Sequence, residues 1–143
     1  MKQDYLIKFE ASLIGRSCTV RHREQDWAFD LGDGIGIGVS VPWRIVSTGR
    51  ISFASADHGH MFGRETPVDG EVEARELLAT RRIDKVMVDR QTGDLSLHFD
   101  PSTRLDVFNN SSAYEGWQAT CVFDGRRWSV VGLGGGEIAF AAG

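Results

Sequence analysis

The sequence predicts an α+β fold, mostly antiparallel sheet, and three observations carry that expectation. Apolar residues alternate with polar residues or glycine through most of the chain, the period of a half-buried strand. The stretch 17–39 reappears without a gap as 85–107: Cys18, Val20, Trp27, Phe29, Leu31, Ile37 and Val39 are matched by Val86, Val88, Leu95, Leu97, Phe99, Leu105 and Val107, and Asp26 by Asp94. A repeat of this kind dictates architecture, here two similar β-meanders over about 17–56 and 85–131. Seventeen glycines and three prolines suit many tight turns. One helix, about 69–81, is inserted between the meanders. The sheet they form is curved or barrel-like, and alternation alone does not choose between an open and a closed form.

Taken in order, residues 5–14 fit a short amphipathic helix, with Leu6, Phe9 and Leu13 at helical spacing and Gly15 at its end. A strand over 5–9 is the alternative. A strand starts at Cys18 and ends in the charged run 21–25. Residues 26–31 alternate, with Trp27, Phe29 and Leu31 on one face, and Gly32-Asp33-Gly34 turns the chain. Ile35, Ile37, Val39, Val41 and Trp43 then alternate with Gly36, Gly38, Ser40 and Pro42, which reads as one strand whose second face is nearly bare. Such a face lets another backbone or a ligand come close. Ser47-Thr48-Gly49 turns the chain again into a strand marked by Ile51 and Phe53.

Residues 54–68 carry no period and read as a long loop, expected to be ordered with Met61 or Phe62 packed down and Asp57 and His58 holding it by hydrogen bonds. Asp69 is an N-cap, with Glu71, Glu73 and Glu76 near the helix start and Arg81 and Arg82 at its end, as the macrodipole favours. Val72, Leu77 and Leu78 are expected to face the sheet. The second meander follows over 85–89, 94–99 and 104–108, with turns at 91–93 and Pro101-Ser102. A polar loop at 109–113 leads to a hairpin of 117–123 and 127–131 across Asp124-Gly125. A glycine loop, 132–136, precedes a last strand at 137–140. Trp117 reads as the counterpart of Trp43, displaced by a few inserted residues.

At 143 residues the chain suffices for one domain with a real core, expected over 1–143. A net charge of −4 argues against a general nucleic-acid binder, which needs a basic stripe. No apolar run approaches the ~20 residues of a membrane span. The first fifteen residues mix charges among apolar positions, unlike a signal peptide. Cys18 and Cys121 lie far apart with no metal-ligand spacing. The expectation is a cytoplasmic protein with free thiols and no cofactor.

Four constellations invite a chemical reading. Asp57-His58-Gly59-His60 could hold a metal through His58 and His60, which point the same way on an extended chain. Further ligands would have to come from elsewhere, and local hydrogen bonding explains the cluster as well. A catalytic histidine would need a nucleophile, and no GxSxG elbow occurs. Neither Gly34–Gly38 nor Gly132–Gly136 opens a helix or carries a P-loop lysine, so both read as turns or close-packing positions rather than phosphate cradles. Trp43-Arg44 and Glu115-Gly116-Trp117 join an aromatic to a charge at matching ends of the two meanders. An Arg44–Glu115 ion pair flanked by the tryptophans is one expectation. A cleft floored by the glycine face and rimmed by Trp43, Arg44 and Trp117 is the functional one.

At Pro42-Trp43-Arg44-Ile45, Asp57-His58-Gly59, Thr92-Gly93-Asp94-Leu95 and Ser111–Trp117 the chain resembles a group of small bacterial proteins of unknown function, over about residue 26 to the end. That resemblance implies a single-domain bacterial cytosolic protein and supplies no catalytic residues. Some small α+β proteins of this size are immunity partners of secreted toxins, an analogy of class alone. The reading that follows is a non-enzymatic binding protein with a protein partner, whose candidate binding residues are Trp43, Arg44, Asp57, His58, Glu115 and Trp117. A small-ligand binder with an aromatic cleft is the alternative, and a metal-dependent enzyme using the 57–60 loop is the third.

Overall fold

The computed structural model describes residues 2–100 and 102–143, so Pro101, expected in a turn, lies outside the described residues. The fold is α+β. Helix α1 (Lys2–Ser12) precedes β1 (Thr19–His22), β2 (Trp27–Gly32), β3 (Ile35–Val39), β4 (Trp43–Ser47) and β5 (Arg50–Ala54). Helix α2 (Gly70–Leu78) precedes β6 (Lys85–Val88), β7 (Leu95–Asp100), β8 (Thr103–Val107), β9 (Trp117–Phe123), β10 (Arg126–Gly132) and β11 (Ile138–Ala142). These strands form two antiparallel sheets, ordered β1-β2-β3-β9-β10-β11 and β5-β4-β8-β7-β6, and neither closes into a barrel.

The two sheets exchange strands. β3 is followed by β4, which leaves for the other sheet and pairs with β8; β8 is followed by β9, which pairs with β3. Trp43 lies opposite Val107, and Trp117 lies opposite Val39. The β2–β3 and β7–β8 hairpins also break register at matching places, between Asp30 and Gly32 and between His98 and Asp100. The first strands differ. Val20 pairs with Phe29 and Val86 with Leu97, so Val86 takes the place of Val20 rather than of Cys18. The cause is loop length. The β1–β2 turn closes tightly, with Arg23 N donating to Asp26 O, whereas the β6–β7 loop is longer and is held by Asp89 Oδ1 accepting from the Gln91 and Thr92 amides.

The strand expected from Ile35 to Trp43 is in fact two. Proline has no N–H for the ladder, and Ser40–Pro42 carries the chain between sheets, with Ser40 N bonded to Gly116 O. The alternating apolar faces form one core shared by both sheets and both helices, with Phe9, Phe29, Trp43, Leu97 and Trp117 nearly inaccessible. The N-terminal segment is helical, and its Leu6, Phe9 and Leu13 are buried.

Helix α2 starts as its cap predicts: Asp69 Oδ1 accepts from the amides of Glu71 and Val72. It stops at Leu78, short of the expected Arg81. Its buried face is Gly70, Ala74 and Leu78, not Val72, which is exposed. The loop before it folds over Val68, which is buried, while Met61 and Phe62 are exposed. Gly70 lets the helix start close to the strands, since a Cβ there would sit 2.6 Å from the Trp27 ring; Gly59 N and His60 O both bond to Val68, so the loop's anchor falls at its end instead of its tip.

Candidate functional site

The outer face of the six-stranded sheet holds a groove of about 640 Å³. Its floor is the polar side of β3. Ile35, Ile37 and Val39 point into the core, so Gly34, Gly36 and Gly38 are left on the outside, joined by Ala28 of β2 and by Gln118 and Thr120 of β9. Gly36 is needed, because a Cβ there would sit 2.9 Å from the backbone Phe29 O, whereas one on Gly38 would meet the movable end of the Arg23 side chain at 2.9 Å.

Charges line the walls. Arg21 makes a two-bond pair with Asp30, at 2.9 and 3.3 Å. Arg23 does the same with Asp26, at 2.7 and 2.8 Å. The Arg21 hydrogen bond holds the Asp30 carboxyl below its ordinary range. Just past the Gly34 end, outside the lining itself, Arg127 Nη1 donates to Gly34 O at 3.3 Å and has no carboxylate among the described residues. At the Ser40 end, Glu115 is exposed, and its side chain has no partner among the described residues. An uncommitted anion, Glu115, thus lines one end of the groove, and a cation without a carboxylate partner, Arg127, stands just beyond the other.

The matching face of the other sheet is filled. Where β3 has Gly36 and Gly38, β8 has Arg104 and Asp106. Arg104 and Arg44 both pair with Asp106, which also accepts from Ser96 Oγ, and Arg44 lies over the Phe108 ring. Ser96 Oγ in turn contacts His98, whose burial and neighbours Lys85 and Arg104 push its imidazole below the ordinary value.

This network answers the expected Arg44–Glu115 pair. Arg44 stands directly across from Asp106 in the β4–β8 ladder, so cross-strand proximity gives it Asp106 instead. Glu115 and Trp117 line the glycine groove; Trp43 and Arg44 do not. Trp43 and Trp117 are core residues, 1% and 2% exposed. Their ring nitrogens differ: Trp117 Nε1 donates to Gly93 O at 2.8 Å, while Trp43 Nε1 is buried with no hydrogen-bond partner among the described residues.

Asp57 and His58 hold their loop as expected. Asp57 Oδ2 accepts from Ala54 N, and His58 Nδ1 accepts from Gly70 N at 2.9 Å. His58 faces His22 and Trp27, with ring centroids 4.4 and 5.3 Å away, whereas His60 stacks on Phe62. The two imidazoles of the 57–60 loop thus turn to different neighbours. No group of three or more His, Cys, Asp or Glu side chains among the described residues could hold a metal ion.

Sequence reasoning found the glycine floor but missed its walls. Arg21, Asp30 and Arg127 fall on the polar phase of their strands, so alternation places them on an outer face. What it lacks is the neighbour relation of β3 to β9, which brings Glu115, Gln118 and Thr120 to the same groove. Comparison with protein-family models, with curated proteins and with solved structures finds no match.

Proposed function

We propose that this chain is a non-enzymatic binding protein that takes an extended segment of a partner protein into the glycine-floored groove. The bare lane of Gly34, Gly36 and Gly38 carries the reading. The same positions in the matching hairpin are filled by an ion-pair network, so a bare outer face is not something this hairpin architecture requires. A face without side chains admits a second backbone at close range. Arg127 and Glu115 then set polarity, the first taking an acidic group and the second a basic one. Gly34 to Ser40 spans about 20 Å at ~3.3 Å per residue, the reach of roughly six extended residues. A toxin held by an immunity-type inhibitor is one such partner, as the size and class of the chain suggest.

Selection from a random linear peptide library tests the reading. The expected binders are extended peptides with an acidic and a basic residue at opposite ends. Their binding is lost in Gly38→Leu, which fills the lane, and weakened in Arg127→Glu and Glu115→Lys, with thermal melting little changed. Binders indifferent to all three substitutions, or no binders at all, refute it.

A further inference from the structure

The glycine groove does not end at Ser40. Ser40 and Asp26 also line a second cavity, of about 400 Å³, which opens where the chain passes from one sheet to the other. One wall is the β1–β2 turn, with Glu24 and Asp26. The other is Ala56, in the single turn Ser55–Asp57 after β5. Trp27 and the crossover residues Val41 and Pro42 lie between them. The groove belongs to the six-stranded sheet alone, whereas this cavity draws on both sheets.

Most polar side chains of the cavity are already committed. Ser40 Oγ donates to Glu115 O at 3.3 Å, and Ser55 Oγ accepts from Trp43 N at 3.0 Å. Both oxygens of Asp26 are taken by Arg23, at 2.7 and 2.8 Å. The His22 ring packs against Trp27 and His58, with centroids 4.3 and 4.4 Å away. Glu24 differs: it is exposed, and its carboxylate has no partner among the described residues. Glu115 stands in the same condition on the groove side of Ser40. Two uncommitted carboxylates thus flank one residue. The arginines that line the groove, Arg21 and Arg23, are both spent on aspartates, and the second cavity has no arginine or lysine.

We infer that this cavity is a second subsite for the extended partner segment, taking a basic side chain, arginine in preference to lysine, from just beyond the segment's own basic group; the inference rests on the groove being a peptide site. A basic side chain suits both parts of the cavity. Its methylene stem covers apolar surface while its head stays in water. Here Trp27, Val41 and Pro42 offer the apolar surface, and Glu24 meets the head at the rim. An acidic side chain would face Glu24, Asp26 and Glu115 with like charge. An apolar one gains the floor alone. Arginine exceeds lysine because its planar guanidinium meets a carboxylate through two bonds. The recognised segment is therefore acidic at its Gly34 end and carries two basic residues at the other, the first for Glu115 and the second for Glu24.

Titration calorimetry with end-blocked synthetic peptides tests this. The probes are a short peptide selected on the wild-type groove and the same peptide lengthened at its basic end by Gly-Arg, Gly-Lys, Gly-Met or Gly-Glu. Gly-Arg is expected to tighten binding about five- to tenfold, Gly-Lys and Gly-Met less, and Gly-Glu not at all. Two variants report on the cavity alone, because neither residue lines the groove: Ala56→Trp fills it, and Glu24→Lys reverses its charge. Both positions are exposed, and circular dichroism melts check that each variant folds. The short peptide is expected to bind both variants much as it binds the wild type, and the gain from Gly-Arg is expected to vanish in each. Equal affinity for the Gly-Arg and Gly-Met peptides, or a Gly-Arg gain that survives either variant, overturns the subsite. The groove reading still stands in that case if Gly38→Leu abolishes binding of the short peptide. A library that yields no wild-type binder overturns both.

Discussion

Trp43 and Trp117 begin the two strands that change sheets, and each stands opposite the valine that ends the other half's hairpin, Trp43 against Val107 and Trp117 against Val39. They share this place but not a hydrogen bond, since among the described residues Trp117 alone of the two has an acceptor for its indole N–H. Replacing each by phenylalanine removes similar volume. Trp117→Phe also strands the buried Gly93 carbonyl, at a cost of about 1–3 kcal/mol. Denaturant melts are expected to show Trp117→Phe as the more destabilised of the two. Equal losses would mean that the Gly93 contact contributes little.

The thiols are expected to be inert in the folded protein. Cys18 and Cys121 are free and buried, and burial pushes the Cys18 thiol up to about 12 and raises Cys121 as well. Thiolate, the reactive form, is scarce at neutral pH. Labelling with a thiol reagent is expected to follow global unfolding, with both cysteines modified together in denaturant. Rapid modification of either one in buffer would contradict the packing around it.

His98 gives stability a pH dependence of definite sign. Burial, then Lys85 and Arg104, lower its folded value below 6.5, against the opposing pull of Asp106 and Asp84. The unfolded chain therefore takes up this proton first as pH falls. The contribution of neutral His98 is intact above 6.5 and is lost progressively below it, down to the lowered folded value. In His98→Gln the melting temperature is expected to fall less between neutral and mildly acidic pH than in the wild type. Parallel pH profiles would remove His98 as the cause.

Loop 54–68 offers a contrast between two of its residues. His58 Nδ1 accepts the Gly70 amide at the start of α2, so His58→Ala leaves that donor without its partner and is expected to cost about 1–3 kcal/mol. Phe62, 66% exposed, is expected to tolerate alanine within about 0.5 kcal/mol. Chemical denaturation of both variants compares them directly. A larger loss at Phe62 would place the loop's anchor at its tip.

The strands were legible because a period of two survives in most of them, and Trp27, Phe29, Leu97 and Leu105 announce their core face. Alternation reports which face a residue takes, not which strand lies beside it. That is why Arg44 was assigned to Glu115, when its ladder neighbour is Asp106. It is also why the crossing at Pro42 read as a continuation. Helix α2 misled through phase: Val72 lies two positions from both Gly70 and Ala74, so it falls on the far side of the helix from the buried row of Gly70, Ala74 and Leu78. The glycine lane could be read, because a strand with one bare face needs an explanation. Its charged walls could not, because they come from β1, β2, the turn between these two and the loop before β9, and only the strand order collects them.

The strand exchange between sheets has a consequence in time. β3 is synthesised early and waits for β9, while β4 waits for β8, so pairings at the centre of both sheets close only when most of the chain exists. Contacts so distant in sequence slow folding, because loop closure must precede any gain from pairing. A chain still emerging from the ribosome holds β1–β2–β3 as a meander whose inner edge is open and whose apolar face is uncovered. Such a species invites aggregation. The same linkage makes the finished molecule hard to take apart by halves, since removing either set of strands opens the middle of both sheets.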